Sequence, residues 1–397
     1  MRNNFKTIKN ILLLYFPLLY IAVGTMLGVF GSGLPYKDWI RLFISIYGIF
    51  LFVKDYYLFT RSKTKVFGSL TLMLVIILLS TFNFNFFEHS VRAESIRNMG
   101  DSVLWISIIV ISYLIAYKNP NTLFNSRWIA LSIPLYYLIF QSVRTYFLFN
   151  TDDTALISTA YYALFLLPFA LMIKHKWLMW LLLFFIFLTV ILSSKRAGFI
   201  AFVGALAFYV YLQLKVNNTS ASSKLKYLLV FSIIGILGYF VFMNHIAAND
   251  IHLLDRLSSI QEDGGSGRDK IYMYTFDLLC SSDILSLIFG HGFNSVIYYS
   301  KFELSAHTDL LETPFDYGIL GFIVYIIFYI RLFKYYRILR VYNTNYAIIF
   351  VITLFITLVL SSFAHLIIYP THFLFFCMYW GFVMGECDRI IANPNNV

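Results

Sequence analysis

A chain of 397 residues that is 60% hydrophobic and only 13% charged falls well outside soluble domains, which carry about 25% charged residues. That balance excludes a soluble globular enzyme and predicts an integral membrane protein. The net charge of +10 does not indicate nucleic acid once its placement is read, and Cys280, Cys377 and Cys387 form no disulfide or metal pattern.

Apolar runs of membrane-spanning length recur with short polar breaks. A backbone in lipid must satisfy its own hydrogen bonds, so such runs are read as helices. Twelve are predicted, over residues 11–30, 40–60, 66–87, 102–117, 128–149, 158–173, 177–193, 198–214, 227–243, 315–333, 346–369 and 371–386. The first is long enough to cross a bilayer and lacks a small-residue cleavage pattern, so it is read as a span and not as a signal peptide. The second carries Arg41, Lys54 and Asp55 near its ends, where long side chains can snorkel to the interface. The expected fold is all-α and polytopic, a single membrane domain over residues 1–397. One long hydrophilic loop, residues 244–314, separates spans nine and ten.

Loop charge sets the orientation. With the N-terminus in the cytoplasm and strict alternation, 19 basic residues face inward against Asp55, Glu386 and Asp388, while 11 basic and 17 acidic residues face outward. Both termini are therefore expected inside, and the long loop outside. The excess positive charge is a topogenic signal. Membrane lipids are the expected surroundings, and no nucleic-acid partner is expected.

The candidate chemistry gathers on the outer side. Arg144 lies near the outer end of span five, and His365 and His372 lie at the last outer turn. Lys195 and Arg196 occupy the break Ser193-Ser194-Lys195-Arg196-Ala197-Gly198 between two apolar helices. Either they are a snorkelling pair marking a helix end or they hold an anion; the positive-inside rule disfavours cations there, which points to the anion. Arg256 and Arg268 flank Asp263-Gly264-Gly265-Ser266-Gly267. Glycine lets backbone N–H groups approach an anion, and arginine forks bind phosphate oxygens in pairs. Local acids such as Asp255 and Asp269 are competing partners for both arginines. Ile271 to Phe289 has near-helical apolar spacing and reads as an amphipathic helix at the outer membrane surface, with packing its expected role. His307 precedes Asp309 and Glu312 at the entry to span ten. Such a histidine can accept a proton from a hydroxyl nucleophile with a carboxylate orienting its ring, or can simply be structural. No Gly-rich phosphate loop of the ATPase type and no Asp-x-Asp metal motif is present.

The ordered set Ser194-Lys195-Arg196-Ala197-Gly198, Ser266-Gly267-Arg268, Gly290-His291-Gly292-Phe293, Ala306-His307-Thr308-Asp309 and Asp316-Tyr317-Gly318-Ile319-Leu320-Gly321 resembles the O-antigen polymerase and O-antigen ligase superfamily. Arg256 and Gly267, with ten residues between them, also match the Arg-x10-Gly pattern of the polymerases. Thr308 departs from the asparagine common after the family histidine. The resemblance covers residues 185–335 by motif and the whole chain by topology. It implies a GT-C-like, inverting glycosyltransferase of the bacterial inner membrane that uses undecaprenyl-diphosphate-linked glycans at the periplasmic face, with neither cofactor nor metal. Carried onto this sequence, Arg196, Arg268, Arg256 and Lys195 would bind the donor diphosphate and His307 would be the general base. Asp309, Glu312 and Arg144 are supporting candidates. Polymerase is the favoured activity, joining O-antigen repeat units with a chain-length regulator protein as a further partner. Ligation to lipid A–core is the alternative. A polysaccharide-lipid flippase is disfavoured, because transporter folds show repeat symmetry and broken mid-membrane helices, and the single long loop has no counterpart in the first half.

Overall fold

The computed structural model describes residues 36–80, 92–150, 159–193, 196–216, 268–302, 304–364, 366 and 373–392. The predicted spans 11–30 and 227–243 lie outside the described residues, as do Lys195, Arg256, the glycine turn 263–267, His365 and His372. The described residues are helical and contain no strand. In chain order the helices are α1 (Tyr36–Lys54), α2 (Tyr56–Thr60), α3 (Val66–Ser80), α4 (Arg92–Lys118), α5 (Thr122–Ser126), α6 (Ile133–Asn150), α7 (Thr159–Phe165) and α8 (Leu167–Leu171), followed by α9 (Lys176–Leu192), α10 (Arg196–Val216), α11 (Arg268–Ser281), α12 (Ile284–Phe289), α13 (Ser295–Tyr299), α14 (Asp309–Tyr342), α15 (Thr344–Phe363) and α16 (Leu374–Ala392). Among them, α14, α15 and the stretch Ala197–Val216 of α10 are long and apolar enough to cross a membrane. Val66–Ser80, Val103–Lys118 and Lys176–Leu192 are shorter apolar helices.

Polar and proline residues decide where the predicted runs break. The run 40–60 divides at Asp55, whose carboxylate takes a 2.8 Å ion pair from Lys118 at the end of α4. The run 158–173 divides at Leu166, because Pro168 fits only the first turn of a new helix.

The chain forms two compact units. The first comprises Met1–Leu123, Gly264–Tyr335 and Leu360–Val397, and the second Phe124–Asp263 and Tyr336–Val359. In the second unit aromatic rings fill the helix contacts. Tyr136 stacks on Tyr162 at 6.0 Å, Phe208 meets Phe355 at 5.4 Å, and Gln213 hydrogen-bonds Asn345. Arg127 and Lys174 both lie over the Phe124 ring, at 3.5 and 4.8 Å.

The first unit is centred on α4, α14 and α16. Gly381 and Gly385 on α16 let its backbone lie against α4. A Cβ at Gly381 would stand 2.7 Å from the Ile109 carbonyl oxygen, and one at Gly385 2.3 Å from that of Tyr113. Small residues four apart bring helix backbones close where lipid provides no hydrophobic drive for association. Toward the C-terminal end of α14, Tyr335 and Tyr113 donate hydroxyls to Asp388 Oδ2 at 2.9 and 3.1 Å, Ser62 Oγ lies 2.7 Å from the Tyr335 hydroxyl, and Arg331 caps the Lys65 carbonyl at 2.9 Å. At the opposite end of α14, around Asp309, stand Arg268 and His307.

Candidate active site

Three helices supply this end of the first unit. α11 begins at Arg268, α14 begins at Asp309, and α15 ends at Phe363. The last carbonyls of a helix have no partner within it and carry its negative dipole end. Here they are taken by the two loop segments. Arg268 Nη1 donates to the Phe363 carbonyl at 3.0 Å, and Thr308 Oγ1 donates to the Ser361 carbonyl at 2.9 Å. The guanidinium and the residue that follows His307 are thereby fixed to one helix terminus. A guanidinium has five N–H donors, and this bond commits one of them.

His307 is half-buried and sits at φ +54°, a left-handed conformation unusual for a residue with a Cβ. Its backbone N–H donates to Glu312 Oε1 at 3.0 Å, and its ring Nδ1 lies 3.4 Å from Ser305 Oγ. The fully buried Glu312 thus holds the main chain in its turn, and the ring is oriented on one edge by a hydroxyl. Asp309, also fully buried, accepts from the Leu366 N–H at 2.9 Å and from the Tyr325 hydroxyl at 3.3 Å, and that hydroxyl lies 3.2 Å from Ser361 Oγ. Asp309 therefore ties the chain beyond α15 to the start of α14, directly behind His307.

Tyr272 stands one helical turn after Arg268 on α11. Burial raises the pKa of its hydroxyl, the Arg268 guanidinium opposes that rise, and Glu312 adds to it. The tyrosine hence lies within the electrostatic reach of both the cation and the carboxylate. Sequence reading passed over Tyr272, although the i, i+4 spacing from Arg268 was the available signal.

A small apolar core supports the loop. Val296, Ala306 and Phe315 are buried together, with Leu278, Leu279, Tyr299 and Leu311 packed around them. Beside it, Asp316 is wholly buried and caps α13, accepting from the Asn294 N–H at 2.9 Å, the Ser295 N–H at 3.0 Å, the Ser295 hydroxyl at 2.9 Å and the Val296 N–H at 3.4 Å. Gly290 and Gly318, at φ +87° and +70°, press backbone on backbone. A Cβ at Gly290 would stand 2.2 Å from the Asp316 carbonyl oxygen, and one at Gly318 2.1 Å from that of Ile288. No side chain fits at either place, which explains Gly290-His291-Gly292 and Asp316-Tyr317-Gly318 as one interlocking element. His291 completes it. Its ring stacks on Phe315 at 4.3 Å, its Nε2 lies 2.8 Å from Ser282 Oγ, and burial lowers its pKa against the opposing pull of Asp283.

Of the sequence candidates, then, Arg268, His307, Asp309 and Glu312 converge within the first unit. Arg196 is the first residue of α10 and Arg144 lies in α6, with their side chains outside the described set. A family model described as O-antigen ligase matches residues 180–326. No curated protein matches the chain.

Proposed function

We propose that the chain is an O-antigen polymerase, a reading supported by the likeness of residues 180–326 to the O-antigen ligase family. That likeness supports a glycosyltransferase-like membrane enzyme of lipopolysaccharide biosynthesis, in the bacterial inner membrane, acting on lipid-linked glycans. The proposal adds the reaction: a growing glycan leaves its undecaprenyl diphosphate and joins the next lipid-linked repeat unit at the periplasmic face. It also adds the topology, a single domain with both termini cytoplasmic and the loop 244–314 carrying part of the site.

The observation that carries this reading is the tethering of Arg268 and the His307 segment to the same last turn of α15. A lipid diphosphate is an activated leaving group, so the protein must supply positive charge for the departing oxygens and a base for the incoming hydroxyl. Arg268 has the geometry for the first task, and Arg196, Arg256 and Lys195 are proposed to share it. His307 takes the second. It removes the proton from an acceptor hydroxyl, whose oxygen forms the new bond to the anomeric carbon while the carbon–oxygen bond to the diphosphate breaks with inversion. The diphosphate departs as an anion held by the arginines, and the proton stays on the imidazole until solvent takes it. A chain-length regulator protein is a proposed partner.

The Arg-x10-Gly spacing of Arg256 and Gly267 favours polymerase over ligase. Deleting the gene and examining surface lipopolysaccharide separates the two. Loss of a polymerase leaves core bearing a single repeat unit. Bare core with accumulated lipid-linked polymer would identify a ligase instead.

A further inference from the structure

The loop helices α11 and α12 carry large apolar side chains that no other described residue covers. Met273, Phe276, Ile284, Leu285 and Phe289 are each between 55% and 73% exposed. On α11, Met273, Phe276 and the exposed Cys280 share one flank at i, i+3, i+7 spacing, bordered by the exposed Lys270 and Asp277, while Ile271 and Thr275 face inward. Large apolar groups gathered on one flank of consecutive helices mark an interaction surface.

The occupant follows from what this surface adjoins. The lock between Gly290 and Gly318 fixes the end of α12 to the kink of α14, with a Cβ on Gly318 only 2.6 Å from Gly290 N. Immediately past that kink, Ile319, Leu320, Ile323, Ile326 and Ile330 are exposed along a helix long and apolar enough to cross a membrane. Their i, i+4, i+7, i+11 spacing makes one continuous stripe, as a lipid-facing side requires. Phe289 therefore stands at the top of the stripe, and the exposed residues of α12 extend it sideways. A polar-edged apolar flank at the level where a spanning helix emerges is the arrangement of an interfacial helix.

We propose that α11 and α12 form an interfacial paddle, seated with Met273, Phe276, Ile284, Leu285 and Phe289 in the headgroup–acyl boundary of the bilayer beside α14. Anchored in this way, the paddle sets the depth of Arg268 at the start of α11. The inference is independent of the glycosyl-transfer reading, since depth is measured without turnover.

Cys280 offers the probe, because Cys377 and Cys387 are buried. The full chain is labelled there with a nitroxide and reconstituted in phosphatidylethanolamine–phosphatidylglycerol liposomes. Collision with oxygen, which concentrates in lipid, is compared with collision with a water-soluble nickel chelate. The expected result is oxygen collision exceeding chelate collision, with the ratio shifting toward the chelate in a Phe276→Ser, Leu285→Ser double variant. A second label, from Phe289→Cys in a Cys280→Ser background, must report at least the same depth. Dominant chelate collision at both sites would overturn the proposal by placing the paddle in water. Low collision with both reagents would overturn it equally, by showing a protein partner or a second copy on the face.

Discussion

His307 and Asp316 stand nine positions apart in one segment, yet they belong to different kinds of structure. Around His307 the polar groups are anchored from behind. Glu312 holds its main chain, Thr308 and Arg268 grip the end of α15, and the imidazole and guanidinium remain on the half-buried rim. Around Asp316 the Asn294, Ser295 and Val296 N–H groups and the Ser295 hydroxyl are turned inward onto one carboxylate, beside two glycines that admit no Cβ. Both belong to the same ordered motif set. The contrast teaches that such a set mixes residues held for chemistry with residues that hold them, and that a carboxylate wholly buried among its own chain's donors serves the fold.

The comparison breaks most visibly if the two regions respond alike to substitution. His307→Ala and Arg268→Ala are expected to lower polymer formation by about 10²-fold or more, the usual cost of losing a general base or a charge-stabilising donor. Protein level and thermal midpoint in detergent should stay near wild type. Full-length chains from a normally abundant His307→Ala protein would remove the histidine from the mechanism. Asp316→Ala should do the reverse. It leaves the Asn294, Ser295 and Val296 N–H groups without their acceptor, at about 1–3 kcal/mol for a buried unsatisfied group, so the midpoint should drop and activity should fall only in proportion to folded protein. Gly290→Ala belongs with it, because a Cβ there meets the Asp316 carbonyl oxygen. A stable but inactive Asp316→Ala protein would move that carboxylate to the catalytic side of the comparison.

Glu312 sharpens the boundary, since it holds His307 by the main chain. Glu312→Gln retains an acceptor for the His307 N–H and should keep most activity. Glu312→Ala should lower kcat about tenfold through misplacement of the ring, with little change in KM. Equal losses in the two variants would show that the charge of Glu312 matters, and not its grip on the turn. The smallest effect expected is on pH. Burial lowers the pKa of His291 below its ordinary 6.5 in the folded protein, so the unfolded chain binds the proton more readily. The stability this neutral ring contributes is present in full above that value and declines as pH falls below it. Thermal midpoints taken from neutral to mildly acidic pH should show this slope, and His291→Gln should flatten it.

Membrane character was legible in composition alone, because apolar runs of bilayer length have no stable place in water. The convergence of Arg268 with His307 was legible only as motif order, because the contact that creates it, the last turn of α15, lies 95 residues beyond Arg268 in sequence. Sequence also assigned the carboxylates beside His307 to its ring. In the folded chain Glu312 takes the His307 backbone N–H and Asp309 takes the Leu366 N–H, because buried main-chain donors need acceptors as strictly as side chains do. The role of Asp316 went unread for the same reason, because the N–H groups it accepts belong to Asn294, Ser295 and Val296, 20 to 22 residues earlier.

The sequence by itself determined the helical class, the polar insertion before the tenth predicted span and the residue types able to handle a diphosphate and a hydroxyl. These follow from local hydrophobicity and from the chemistry of single side chains. Tertiary structure alone decided which charged groups face outward and which are sealed as braces. That choice depends on whether a neighbouring backbone reaches a carboxylate before a substrate can, and only the packing of α11, α13, α14 and α15 sets it.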